Sequence, residues 1–105
     1  MTGYGEAVDR AVAQRAPEAL DLLRQLIACP SPSLAEGRHD RPETAVGTMA
    51  SALARLGLPV TALPTGPESE TLIARWGSPN PAGPAVILDA HLDTVPPGDP
   101  AAWLG

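Results

Sequence analysis

One stretch constrains the fold more than any other: Ala85-Val86-Ile87-Leu88-Asp89-Ala90-His91-Leu92-Asp93-Thr94-Val95-Pro96-Pro97-Gly98-Asp99. Its opening is apolar, rich in β-branched residues, entered through Pro84 and too short for a free-standing helix, so it predicts a buried strand. The strand runs into a His-x-Asp pair and then into a turn that Pro96, Pro97 and Gly98 enforce. Side chains that leave the carboxyl end of a buried strand face a crevice, and open α/β sheets hold their ligands there. His91 and Asp93 are therefore the candidate functional pair. Residues two apart in extended backbone share a face, which leaves two arrangements open. Both side chains can reach one point, or the Asp93 carboxylate can accept a hydrogen bond from the imidazole. The second is a device of metal sites, where a carboxylate fixes the tautomer and aims the other ring nitrogen at a cation. Alone, such a pair is more often a surface or turn feature, because a metal needs three or four convergent ligands.

The rest of the chain supplies elements to surround that strand. Residues from about Glu6 to Ala28 predict helix, broken or restarted at Pro17, with Leu20, Leu23 and Ile27 as a core-facing stripe flanked by Leu22 and Leu26. Prolines 30 and 32 make Cys29 to Gly37 a loop. His39 lies in the charged run Glu36-Gly37-Arg38-His39-Asp40-Arg41, which predicts a solvated side chain. A second helix is expected from about Arg41 to Leu56, with Asp40 as N-cap, Gly57 at its end, and Val46, Met49, Leu53 and Leu56 facing the core. Val60 to Leu63 and Glu70 to Trp76 predict short strands, the latter with Leu72 and Ala74 on one face and Thr71, Ile73 and Arg75 on the other. Gly77 to Pro84 predicts a surface loop. The order α-α-β-β-β fits the start of an α/β domain, with helices packed on a mixed sheet that these elements leave incomplete.

Composition excludes several functions. The 105 residues suffice for one small domain, and the formal net charge is −5. Every basic residue is Arg, and none are clustered, so a nucleic-acid or anionic-membrane partner is not expected. No apolar run approaches the ~20 residues of a membrane span. The N-terminus lacks a basic segment followed by an apolar one, which argues against a conventional secretion signal. Cys29 is the one cysteine, so no internal disulfide can form and a reducing cytoplasm suits the chain. With no base beside it in sequence, Cys29 is expected to be a small, partly buried hydrophobe rather than a nucleophile.

His-Leu-Asp-Thr-Val-Pro-Pro-Gly-Asp, at the end of an apolar strand with Trp103 following, resembles the first metal-site motif of a zinc-dependent metallopeptidase family. That family comprises aminoacylases, glutamate carboxypeptidases, acetylornithine deacetylases and succinyl-diaminopimelate desuccinylases. The resemblance extends back to Leu22-Leu23-Arg24-Gln25-Leu26-Ile27-Ala28-Cys29-Pro30-Ser31-Pro32-Ser33 and to the strand end Ala74-Arg75-Trp76-Gly77. It implies that His91 ligates one of two zinc ions, with cobalt or manganese as alternatives, and that Asp93, the catalytic-site carboxylate of the motif, orients the imidazole and raises its basicity. Thr94, Val95 and Pro96 would shape the backbone beside the site. Asp89 stands where the family more usually has a small or amide residue, and a carboxylate buried there would need a partner.

The resemblance further implies that residues 1–105 are the N-terminal portion of a catalytic domain whose remainder, with any dimerisation domain, lies outside this chain. In the family a bridging Asp, a Glu-Glu pair, a further acid and a distant His follow the motif. Here no His follows His91, and Asp99 is the only acid after Asp93. A single imidazole holds zinc weakly. The expectation is thus a part of a two-metal amide hydrolase, acting on a small-molecule amide or peptide, homodimeric when complete and inactive as these residues alone. Two readings from other classes stand beside it. A small non-catalytic α/β binding or interaction module would fold cooperatively without zinc, and an unrelated α/β fragment would carry the His-x-Asp pair by chance. The substrate stays open among acetylornithine, succinyl-diaminopimelate, an acylated amino acid and a dipeptide.

Overall fold

The computed structural model describes residues 2–78 and 82–103. Helix α1 spans Thr2–Ala28, α2 spans Ala45–Arg55, strand β1 spans Val60–Gly66, strand β2 spans Ser69–Ala74, and a 3-10 turn covers Pro100–Ala102. The radius of gyration is 16.7 Å, well above the ~13 Å of a compact chain this long. The excess length comes from two parts that pack little, α1 and the segment after residue 82.

Packing is concentrated on α2. Its apolar face carries buried Val46 and Ala52, with Met49 and Leu53 half-buried, while Leu56 is exposed. The helix starts at Thr44 rather than Asp40. The Thr44 hydroxyl accepts from the Gly47 amide at 3.0 Å and donates to the Arg41 carbonyl at 2.7 Å. That geometry closes a turn over residues 41–44 and leaves Thr44 to satisfy one of the free amides in the first turn of the helix. Gly47 is required by this closure, because a Cβ there would overlap the Arg41 carbonyl. At Gly37, φ is +107° and a Cβ would overlap the Thr44 side chain, so the loop can pass the cap only as glycine.

β1 and β2 form a two-stranded antiparallel sheet, with Val60 opposite Ala74 and Leu63 opposite Thr71. β1 runs past the expected end at Leu63 to Gly66, and the chain reverses at Pro67-Glu68. Leu72 and Ala74 are half-buried with Val60 and Ala62, whereas Thr71, Ile73 and Arg75 are exposed. The alternation expected for β2 is therefore present, and both strands touch α2.

Helix α1 departs from expectation in its continuity and in the face it buries. The expected break at Pro17 does not occur: α1 continues through it. A proline inside a helix deletes one amide and leaves the Ala13 carbonyl unpaired; residues 3–21 are all exposed, so water can take the place of that bond. α1 touches α2, and Leu22 and Leu26 near its C-terminus are half-buried while Leu20, Leu23 and Ile27 face solvent. The expected core face is thus turned by about one residue.

The larger change concerns residues 85–90. They form no strand and are exposed, Val86, Ile87 and Leu88 at 86%, 88% and 93%. A strand apolar on both faces needs hydrogen-bonded neighbours and cover on each side. Among the described residues the sheet has only β1 and β2, and neither pairs with this segment. The sheet is accordingly antiparallel rather than mixed, and it is consistent with an incomplete α/β domain.

Candidate metal-ligand site

Although the strand is absent, the His-x-Asp pair closes as its spacing allows. His91 Nδ1 lies 3.0 Å from the Asp93 carbonyl oxygen and 3.2 Å from Asp93 Oδ1. Both neighbours are acceptors, so in the neutral ring the proton belongs on Nδ1 and the Nε2 lone pair is left free. The ring is 85% exposed; these contacts, not packing, set its direction. Of the two arrangements open from sequence, the structure adopts the one in which Asp93 holds the imidazole.

The pair lines an open concavity of about 560 Å³ with Pro32, Ser33, Thr94, Val95 and Pro96. The 30–33 loop is held there by the Thr94 amide, which donates to the Ser31 carbonyl at 2.7 Å, and by a 3.3 Å contact between the Ser31 and Thr94 hydroxyls. Downstream, Asp99 Oδ1 accepts from the Ala101 amide at 3.0 Å, and Trp103 Nε1 donates to the Pro97 carbonyl at 2.8 Å. Those two bonds shape the turn that leaves the site. Asp89 is exposed, and water can solvate it without a protein partner.

Cys29 is half-buried, its Sγ 3.3 Å from the Gln25 carbonyl and 3.7 Å from Thr48 Oγ1. The partial burial is as expected for Cys29; the two polar contacts of its thiol were not foreseen from the sequence.

His39 differs from expectation. Its amide donates to Glu70 Oε1 at 2.6 Å, and its Nδ1 lies 2.9 Å from the same oxygen. Glu70 is nearly buried although the His39 ring is half-exposed. The His39 amide bond, joined by the ring, holds the Glu70 carboxyl below its ordinary value. The Gly37 amide also donates to the Glu68 carbonyl, and Arg41 pairs with Glu68 at 3.2 Å. His39 thus belongs to a clasp between the 37–41 loop and the hairpin. Glu70 stands at the start of a strand, and no local pattern announces its partner.

Among the described residues, no three or more His, Cys, Asp and Glu side chains come close enough to hold a metal ion. The donor chemistry of His91 fits one ligand of such a site, with the imidazole proton parked on Nδ1 by Asp93. The site is thus a carboxylate-steadied imidazole on a Pro-bounded turn beside an open concavity.

The chain is 42% identical over 91 residues to the succinyl-diaminopimelate desuccinylase of Methylobacterium nodulans, which covers 83% of this chain and 21% of that protein. The namesake of Methylobacterium sp. strain 4-46 is 40% identical over the same shares. That of Gluconacetobacter diazotrophicus is 39% identical over 84 residues, 77% of this chain and 20% of the relative. No family model matches the chain, and no solved structure matches it significantly. By these relatives the chain belongs to the family of the succinyl-diaminopimelate desuccinylases, and it spans about a fifth of the length of the curated relatives it matches. Among the described residues, no helix is long and apolar enough to cross a membrane.

Proposed function

We propose that these residues are the N-terminal portion of the catalytic domain of an amide hydrolase that uses two zinc ions, and that His91 is one of its metal ligands. The observation that carries this reading is the pairing of His91 Nδ1 with the Asp93 carbonyl and carboxylate, which leaves Nε2 free, within a chain related to desuccinylases. Asp93 keeps the proton on Nδ1 and strengthens the ring as a donor. When bound, zinc, or cobalt or manganese in its place, supplies Lewis acidity toward an amide carbonyl. The open concavity beside Ser33 and Pro96 admits the acyl group. The names of the relatives favour an N-succinylated diamino acid as the substrate class. The complete enzyme is a homodimer, and these 105 residues alone are inactive because the donor set is incomplete.

The test is a chimera in which the matching fifth of the Methylobacterium nodulans enzyme is replaced by this chain. Succinate release from N-succinyl-diaminopimelate is expected in the chimera, its loss with His91→Ala, and a large fall in kcat with Asp93→Asn. A folded chimera whose activity survives His91→Ala would refute the assignment. Zinc-dependent hydrolysis by the isolated chain would refute its inactivity.

A further inference from the structure

Two hydrogen bonds at the site pass through a single peptide group. The Asp93 carbonyl accepts from His91 Nδ1 at 3.0 Å, and the N–H of the same group, on Thr94, donates to the Ser31 carbonyl at 2.7 Å. The described residues contain no cis peptide bond, and a trans peptide is planar with its N–H and C=O on opposite sides. Whatever fixes the direction of that N–H therefore fixes the carbonyl that grips the imidazole.

Ser31 is built to fix it. The residue is 2% exposed and lies between Pro30 and Pro32, whose rings restrict the backbone on both sides. Its hydroxyl, 3.3 Å from Thr94 Oγ1, adds a longer and weaker contact. His91 itself is too exposed for packing to hold its ring.

We propose that Ser31 is a positioning residue for His91: its carbonyl, acting across 63 residues, sets the plane of the Asp93–Thr94 peptide and thereby, alongside the Asp93 carboxylate at 3.2 Å, holds the imidazole proton on Nδ1. The proposal rests on the reading of His91 as a metal ligand, for which a free Nε2 is the requirement. A contact that served only to tether the segment would leave the tautomer of His91 unchanged.

The experiment reads the ring nitrogens of His91 by long-range proton–nitrogen NMR in the metal-free chain, at a pH where the ring is neutral. Wild type is expected to hold mainly the Nδ1–H form, with a Thr94 amide slow to exchange. Thr94→Pro removes the donor but leaves an amide carbonyl on Asp93, and the ratio of Nδ1–H to Nε2–H should fall roughly fivefold, the loss of one ordinary hydrogen bond. Thr94→Ser keeps the N–H and hydroxyl and should restore the wild-type ratio. Ser31→Ala combined with Thr94→Val deletes only the longer hydroxyl contact and should change the ratio less than about twofold. An unchanged ratio in Thr94→Pro with the α2 signals in place would overturn the proposal. So would a fast-exchanging Thr94 amide in wild type, a result that depends on no variant folding. Zinc added afterwards separates the two readings: a relay that behaves as expected beside a His91 ring indifferent to zinc sustains the role of Ser31 and removes that of the ligand.

Discussion

Glu70 accepts two hydrogen bonds from one residue, His39, at 2.6 Å from the backbone amide and 2.9 Å from the ring. The bonds join the loop before α2 to the first turn of β2 while the carboxylate is nearly out of water. Burial alone would favour the neutral acid, but the hydrogen bonds from His39 favour the charged form and prevail.

That pairing gives the hairpin a pH dependence. The carboxyl is held below its ordinary value of 4.5, first by the His39 amide and then by the ring. A group whose value is lower folded than unfolded contributes stability above the unfolded value, and the contribution is lost as pH falls through the folded one. Thermal unfolding followed at β1 and β2 should show Glu70→Gln less stable than wild type at neutral pH. The two should converge below pH 4.5, and a difference that grows on acidification would contradict the clasp.

The start of α2 allows a second prediction. Thr44→Ala removes the cap and should cost about 1 kcal/mol. Gly47→Ala drives a methyl group into the Arg41 carbonyl and should cost about 1–3 kcal/mol, although alanine is the better helix former. Denaturant midpoints measure both. A stabilising Gly47→Ala would mean that the 41–44 turn does not pack on the helix as described.

Pro17 lies in a part of α1 with no buried residues. Pro17→Ala restores a backbone amide to a solvated helix, where interior proline costs about 3 kcal/mol. Helical circular dichroism should rise while the unfolding midpoint of the hairpin stays in place. A coupled shift of both would show that α1 is part of the cooperative core.

Val86, Ile87 and Leu88 are among the most exposed apolar side chains of the chain, and extended apolar backbone without a partner self-associates. Sedimentation should find the isolated chain oligomeric at concentrations where Ile87→Lys is monomeric. Equal behaviour of the two would show that this segment is not what associates.

How much was legible follows from the range of each interaction. The His91–Asp93 contact spans two residues, so spacing alone limited it to two arrangements. The two faces of β2 followed from alternation, and the stripe of α2 from Val46 to Leu53 followed from helical period. Ser31–Thr94 and His39–Glu70 span 63 and 31 residues, and nothing local in either pair selects its partner. The strand expected at 85–90 rests on its own side chains, but a strand also needs neighbours to bond with, and the described residues offer none. Asp40 has the chemistry of an N-cap; Thr44 won because Gly47 lets its turn close against Arg41.

Titrating the chain with zinc while following its histidine rings by NMR tests most directly the proposal that Nε2 of His91 is a metal ligand oriented by Asp93. His91 is expected to respond first and through Nε2, its Nδ1–H signal to persist, and Asp93→Asn to weaken the response while leaving His39 unaffected. Zinc binding that perturbs His39 and His91 alike and is unchanged in Asp93→Asn would contradict it.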